Sequence, residues 1–277
     1  DFNDARDQRR EELDAARRVG AAAELVTGVP LKGFENAPVL RYPNQATFHP
    51  LRYLRGLAGV IREQGGRIFA NSPVLAVEEL PDGGVRVSTE NGGVVEAATA
   101  VVATNSPIND RFKLHTKMSP YRTYAMAFTL PRGDLPDALF WDTADPYHYV
   151  RLNPGPGSVD YLIAGGVDHK SGEADDGEIR FEAIEAWIRQ LVPSLAKEVT
   201  RWSGQVLDTI DYCAFIGLNP GSSSVYVVTG DSGQGMTHGA LSGMLLKDLI
   251  AGKENPWAGV YDPSRKIPDV KRWLAAE

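Results

Sequence analysis

The densest chemistry in the chain lies at 230–252, GDSGQGMTHGALSGMLLKDLIAG. Its first eight residues nearly match the phosphate loop G-x-x-x-x-G-K-[ST], but Met236 stands where the lysine belongs. Without that ammonium, the terminal phosphates of a nucleoside triphosphate lose their point charge, which argues against triphosphate hydrolysis. GQGMTH also approaches G-x-G-x-x-G, with His238 at the third glycine. An imidazole is too bulky for the close helix–strand packing required there, and the tail GKENPWAGVYDPSRK offers no second parallel strand bearing an acid.

What survives is more general. The strand VYVVT, a glycine turn and a helix leave unpaired amides at the helix start. The peptide dipoles add about half a positive charge there. Gly233 and Gly235 permit close approach of something flat; the alternative is a sharp turn that packs the helix. Thr237 could donate a hydrogen bond to a ligand or cap the helix.

Other residues could act elsewhere. Arg151, in YHYVRL, carries the planar fork that grips a carboxylate, or serves a structural ion pair. Tyr149 lies two residues away on the same strand face, so the two could wall one pocket. His169, in IAGGVDHKSG, could transfer protons or be an ordinary loop histidine. His49 and His238 stand at helix starts and read as structural. No metal-ligand spacing and no Ser–His–Asp arrangement stands out.

The elements that must position these groups are legible in outline. Residues 3–19 read as a solvated amphipathic helix with Leu13, Ala16 and Val19 on one side. LVTGVPLKGFENAPVLRYPNQATF breaks into short extended pieces. Pro50 opens a helix on which Leu51, Leu54, Leu57 and Ile61 share a face, and Gly65-Gly66 ends it. SPVLAVEEL, VRVSTE and VVEAATA, separated by PDGG and ENGG, read as an antiparallel meander. AVVAT is apolar throughout, as expected for a strand covered on both faces. TYAMAFTL, YHYVRL and VDYLIAGG add strands. EIRFEAIEAWIRQLV forms a helix with Phe181, Ile184, Trp187, Ile188 and Leu191 on one face, stopped by Pro193. WSGQVL is followed by a loop through DYCAFIGLNPG.

The chain has 277 residues, a net charge of −7 and one cysteine, Cys213. The acidic balance argues against nucleic acid as partner, and a lone cysteine excludes an internal disulfide and an all-cysteine metal cage. No run approaches the roughly 20 apolar residues of a membrane span, and the charged start does not read as a signal peptide. The expectation is a cytoplasmic protein.

VYVVTGDSGQGMTHGALSGMLLKDLIAG resembles the C-terminal flavin motif of FAD-dependent oxidoreductases of the D-amino-acid oxidase and glycine oxidase superfamily. FHPLRYLRGLAGVIREQGGRIF, SPVLAVEEL with the meander and AVVATNSP, and WSGQVLDTIDYCAFIG resemble further stretches of that family in its own order. YHYVRL and IAGGVDHKSG look closest to a branch whose members often carry a Rieske domain. The family opens with a strand and a true G-x-G-x-x-G, and no such motif occurs in these 277 residues.

The resemblance implies FAD as cofactor and a small amine or amino acid as substrate, oxidised by hydride transfer to flavin N5. The last helix would then stabilise the negative charge that develops near N1. By position, Val74 would lie beside the adenine, and Ala103 and Thr104 along the adenosine or pyrophosphate path. Gly230, Asp231, Gly233, Gln234, Gly235, Met236 and Thr237 would surround the ribityl chain and the N1–C2=O edge. Tyr149, Arg151 and His169 are the candidate catalytic residues. The expected fold class is α+β (α/β-derived): an incomplete FAD-binding domain with a β-meander, from residues 49–107 and 202–277, plus an antiparallel substrate domain with helices, from 1–48 and 108–201. The alternative is a cofactor-free, non-catalytic fragment of such an enzyme.

Overall fold

The computed structural model describes residues 4–108 and 114–266; residue 3 of the expected first helix lies outside them. The chain begins with helix α1 (Asp4–Arg18), strands β1 (Glu24–Thr27) and β2 (Pro38–Arg41), and helix α2 (Pro50–Glu63). Strands β3 (Val74–Glu79), β4 (Val85–Thr89), β5 (Val94–Ala97) and β6 (Ala100–Val102) follow. Then come β7 (Met118–Pro131), β8 (Leu139–Trp141), β9 (His148–Pro154), β10 (Val159–Lys170) and helix α3 (Gly177–Leu191). The last elements are β11 (Glu198–Thr209), β12 (Phe215–Leu218), β13 (Val225–Thr229), α4 (Gly235–Ile250) and α5 (Ala258–Tyr261). The fold class is α+β. No helix among the described residues is long and apolar enough to cross a membrane.

Contacts divide the chain into two compact units: Asp1–Tyr53 with Arg122–Gly204, and Leu54–Tyr121 with Gln205–Glu277. The first unit is built on a sheet of order β11-β7-β10-β9-β8. Its alternating residues Tyr124, Met126, Phe128 and Leu130, with Val150, Leu152, Leu162 and Ala164, make one apolar face. Helix α3 covers that face with Phe181, Ile184 and Ile188, and Val192 and Leu195 close the cluster. The short extended pieces expected before α2 include β1 and β2, which pair antiparallel. In α1, Leu13 and Ala16 are buried, but Val19 stands beyond the helix end and is exposed.

The second unit holds two three-stranded sheets. The meander β3-β4-β5 is antiparallel, as the two glycine turns require. The other sheet, β12-β13-β6, pairs β13 parallel to β6 and antiparallel to β12. Val85, Val102 and Val225 pack between the two sheets. The Glu79 carboxylate accepts the Ser223 and Ser224 amides at 2.7 and 2.6 Å, pinning the end of β3 to the start of β13. Helix α4 covers the opposite side of β12 and β13, with its Leu245 and Leu246 clustered with Ile216 of β12.

Two expectations for this unit need correction. FIGL is strand β12, not loop: glycine and proline around it obscured a four-residue strand that β13 completes. AVVAT is not covered on both faces, since Val102 is 4% exposed but Val101 is 43%. β6 is an edge strand, and Val101, opposite Tyr226, lies beyond the reach of α4.

Candidate functional site

The turn after β13 is shaped by backbone constraints. Gly230, Ser232 and Gly233 all have positive φ, at 68°, 47° and 75°. At Gly230 a Cβ would also stand 2.5 Å from Thr209 Cγ2 and 3.0 Å from Met118 Sδ, so this glycine is needed for conformation and for space. Ser232 holds the turn by accepting the Thr209 amide at 3.0 Å and donating its own to Leu207 O at 3.1 Å. His238 is buried, and its Nδ1 lies 3.1 Å from the Asp231 carbonyl, which can only accept. Nδ1 therefore donates in this contact, which ties the first turn of α4 to the glycine turn.

Gln234 caps α4 without a side-chain hydrogen bond. Thr237 is the third residue of the helix, so the capping alternative for it fails. Gly233, Gln234, Gly235 and Thr237 are exposed, and nothing would lie within 4 Å of a Cβ at Gly233. The first-turn amides thus head an open surface with partial positive charge. The Asp231 carboxylate sits against Gly235, where a Cβ would fall 2.4 Å from Oδ2.

Because β6 and β13 are parallel, their carboxyl ends lie side by side. Ala103 and Thr104, both exposed, leave β6 at the end where β13 enters the glycine turn. Thr104 Oγ1 donates to Ser106 O at 2.7 Å, and Thr229 Oγ1 donates to Asn105 O. Asn105, with φ 60°, is a connecting residue that sequence reasoning missed; an asparagine directly after an apolar strand was the available signal. Crevices at the carboxyl ends of parallel strands are where open α/β sheets bind ligands. Val74 begins β3 at the end away from Glu79 and is 38% exposed.

In the first unit, Tyr149 and Arg151 share the face of β9 opposite the buried Val150 and Leu152. Arg151 Nη2 donates to Phe48 O at 3.1 Å and Asn153 Oδ1 at 2.8 Å, while its buried Nε has no partner. Tyr149 pairs in register with Gly165 on β10. A Cβ at Gly165 would fall 2.3 Å from the Tyr149 hydroxyl, so the glycine lets the phenol lie across β10 toward Thr123 on β7. Burial, with Tyr147 and Asp168 nearby, pushes the phenol up to about 12, against the pull of Thr123 and Arg151.

His169 does not join this pair. Gly166 and Val167 have φ of 128° and 53°, a kink that shifts the strand's alternation by one residue. Val167 packs on the core face instead, which turns His169 to that face as well. There His169 Nε2 lies 3.0 Å from the Tyr124 hydroxyl, and the rings stack. The same kink places Asp168 beside Thr123 and Tyr149. Burial raises the Asp168 carboxyl above the usual aspartate range, more than Thr123, His169 and Arg180 lower it, and its Oδ1 has no partner. Sequence alternation alone could not identify Asp168, because the shift depends on the local backbone.

These features belong to a flavoprotein fold. Residues 2–249 match the DAO family, described as FAD dependent oxidoreductase, and the chain belongs to it. It is 30% identical over 262 residues to the Rieske 2Fe-2S iron–sulfur protein YhfW of Bacillus subtilis, covering 92% of this chain and 49% of that protein. It is 27% identical over 221 residues to gamma-glutamylputrescine oxidoreductase of Escherichia coli, covering 74% and 48% respectively. The chain thus spans about half the length of the curated relatives it matches. In fold it resembles glycine oxidase from Bacillus cereus, with a TM-score of 0.73 at 18% identity, covering 95% of this chain and 74% of that one. L-proline dehydrogenase from P. horikoshii gives 0.75 at 18%, covering 97% and 73%.

Proposed function

We propose that the protein oxidises the C–N bond of a small amine or amino acid, with FAD held by the second unit. The observation that carries this reading is the open, uncapped head of α4 beside the carboxyl ends of β6 and β13. A flat, electron-rich group suits exposed glycines and a partly positive helix end. Gly230, Asp231, Gly233, Gln234, Gly235, Met236 and Thr237 would hold one end of the cofactor, with Ala103, Thr104 and Val74 along its adenosine side. FAD, when bound, supplies the two-electron acceptor. Arg151 binds the substrate carboxylate, Tyr149 walls the pocket, and His169 supports the β10–α3 packing through Tyr124.

Titrating FAD into the purified protein, followed by flavin fluorescence, should show saturable quenching that Gly233→Val abolishes. Glycine, proline and primary amines should then be screened anaerobically for bleaching of the visible flavin absorption. Bleaching by none of them counts against the substrate class. A second reading is that these residues keep the fold without retaining the cofactor, and the apolar surface of α2, which has no buried residue, favours it. Absence of quenching with an intact cooperative unfolding transition would select that reading.

A further inference from the structure

Strand β8 sends its three residues to two faces. Phe140 packs against the core of the first unit, so Leu139 and Trp141 stand on the other face, where packing does not explain them. They are 46% and 61% exposed, and among the described residues Trp141 has no hydrogen bond or ring contact. A lone surface leucine needs no explanation, but a Leu–Trp pair on an open sheet edge is what a binding surface presents. The register shows what borders it: Leu139 lies directly opposite Arg151, and Trp141 opposite Tyr149. Opposite Cβ atoms stand about 5 Å apart and diagonal ones about 7–8 Å, within reach of an indole, so both residues flank the guanidinium. Phe48, 49% exposed, is tied to the same guanidinium through its carbonyl. Arg151 keeps a reachable donor. Nη2 is committed to Phe48 O and Asn153 Oδ1 and Nε is buried, whereas Nη1 has no hydrogen bond among the described residues and is not a buried atom.

We propose that Leu139 and Trp141 are specificity-determining residues, which select carboxylate-bearing substrates with a large apolar or aromatic substituent beside the carboxylate. The carboxylate accepts from Arg151 Nη1. The substituent covers Leu139 and rests against the Trp141 ring, which removes apolar surface from water and adds a ring contact when the substituent is aromatic. Apolar bulk over the ion pair also lowers the local dielectric, so the two contacts support each other. A glycine-sized substrate leaves Leu139 and Trp141 in water and gains the Arg151 contact alone. The inference rests on the reading that Arg151 binds the substrate carboxylate, and adds the side-chain class to it.

The test is calorimetric binding of acetate and phenylacetate to the full chain and to W141A, W141F, L139A and R151K. Wild type should prefer phenylacetate by about tenfold or more. W141A should cut that preference to about threefold or less, L139A should cut it by a smaller factor, and W141F should keep most of it, with acetate within about twofold throughout. R151K should weaken both acids. Equal binding of the two acids by wild type overturns the proposal, as does a preference that survives both W141A and L139A. If R151K still loses acetate in those cases, the carboxylate clamp stands and the side-chain class falls. Self-association of wild type that W141A abolishes, with no change in the preference, makes the patch a contact between copies and likewise overturns it. If wild type binds neither acid, both readings fall.

Discussion

Two helices of this chain carry the same apolar spacing and meet different fates. In α3, Phe181, Ile184 and Ile188 are 8%, 0% and 0% exposed. In α2, Leu54, Leu57 and Ile61, at the same intervals, are 46%, 45% and 40% exposed. The first set lies on a sheet face that presents the buried residues Tyr124, Met126, Phe128, Val150, Leu152 and Leu162. The second belongs to a helix with no buried residue, in a unit that also leaves Val101, Val94, Val95 and Leu75 exposed. A helical stripe states which face a partner would bury; it does not say that the partner is there. Since burying one such side chain is worth about 1.5–3 kcal/mol, the two helices contribute very unequally to stability.

The largest expected effect tests this directly. Ile184→Ala should cost about 2–5 kcal/mol, whereas Leu57→Ala should stay within about 0.5 kcal/mol, both read from urea unfolding midpoints. Equal losses would mean that the α2 face is covered in solution, and the contrast would disappear.

A smaller effect is expected from Gly230→Ala, because the new Cβ collides with Thr209 and meets a positive φ. About 1–3 kcal/mol should be lost, whereas Gly239→Ala, with open space around it, should be neutral or slightly stabilising. If Gly230→Ala were tolerated equally well, the turn before α4 would be looser than described.

The smallest effects contrast two aspartates. Asp211 is raised by burial, but Arg265, which donates to it at 2.9 and 2.8 Å, the Cys213 amide and Thr209 together lower it more, so its net position is below the ordinary value. Its contribution is present above the unfolded pKa of about 3.9 and is lost as pH falls through the lower folded value. Asp168 is shifted up, so its contribution is present below about 3.9 and is lost as pH rises through the higher folded value. D211N should therefore destabilise at pH 7, and D168N should stabilise. Unfolding measured at pH 4 and pH 8 checks both signs; a destabilised D168N at pH 8 would mean that the carboxyl has a cationic partner in solution.

Much of the fold was readable because local chemistry dictates it. PDGG and ENGG set the meander, Pro50 and the glycine pair at 65–66 bound α2, and alternation marks β7 and β9. The glycine turn before α4 was legible for the same reason, since few residues accept its φ values. β12 was not, because a four-residue strand flanked by glycine and proline has no periodicity of its own. Nor was Asp168, whose orientation follows from the kink at Gly166–Val167.

The sequence alone determined most of the elements and the glycine turn before α4, because these depend on residue type and short spacing, and the resemblance of its motifs pointed to the flavin-dependent family to which the chain belongs. Tertiary structure alone decided which apolar stripes are buried and which side of a strand a polar residue faces. Burial needs a partner surface, and one extra residue in a strand reverses every side chain beyond it.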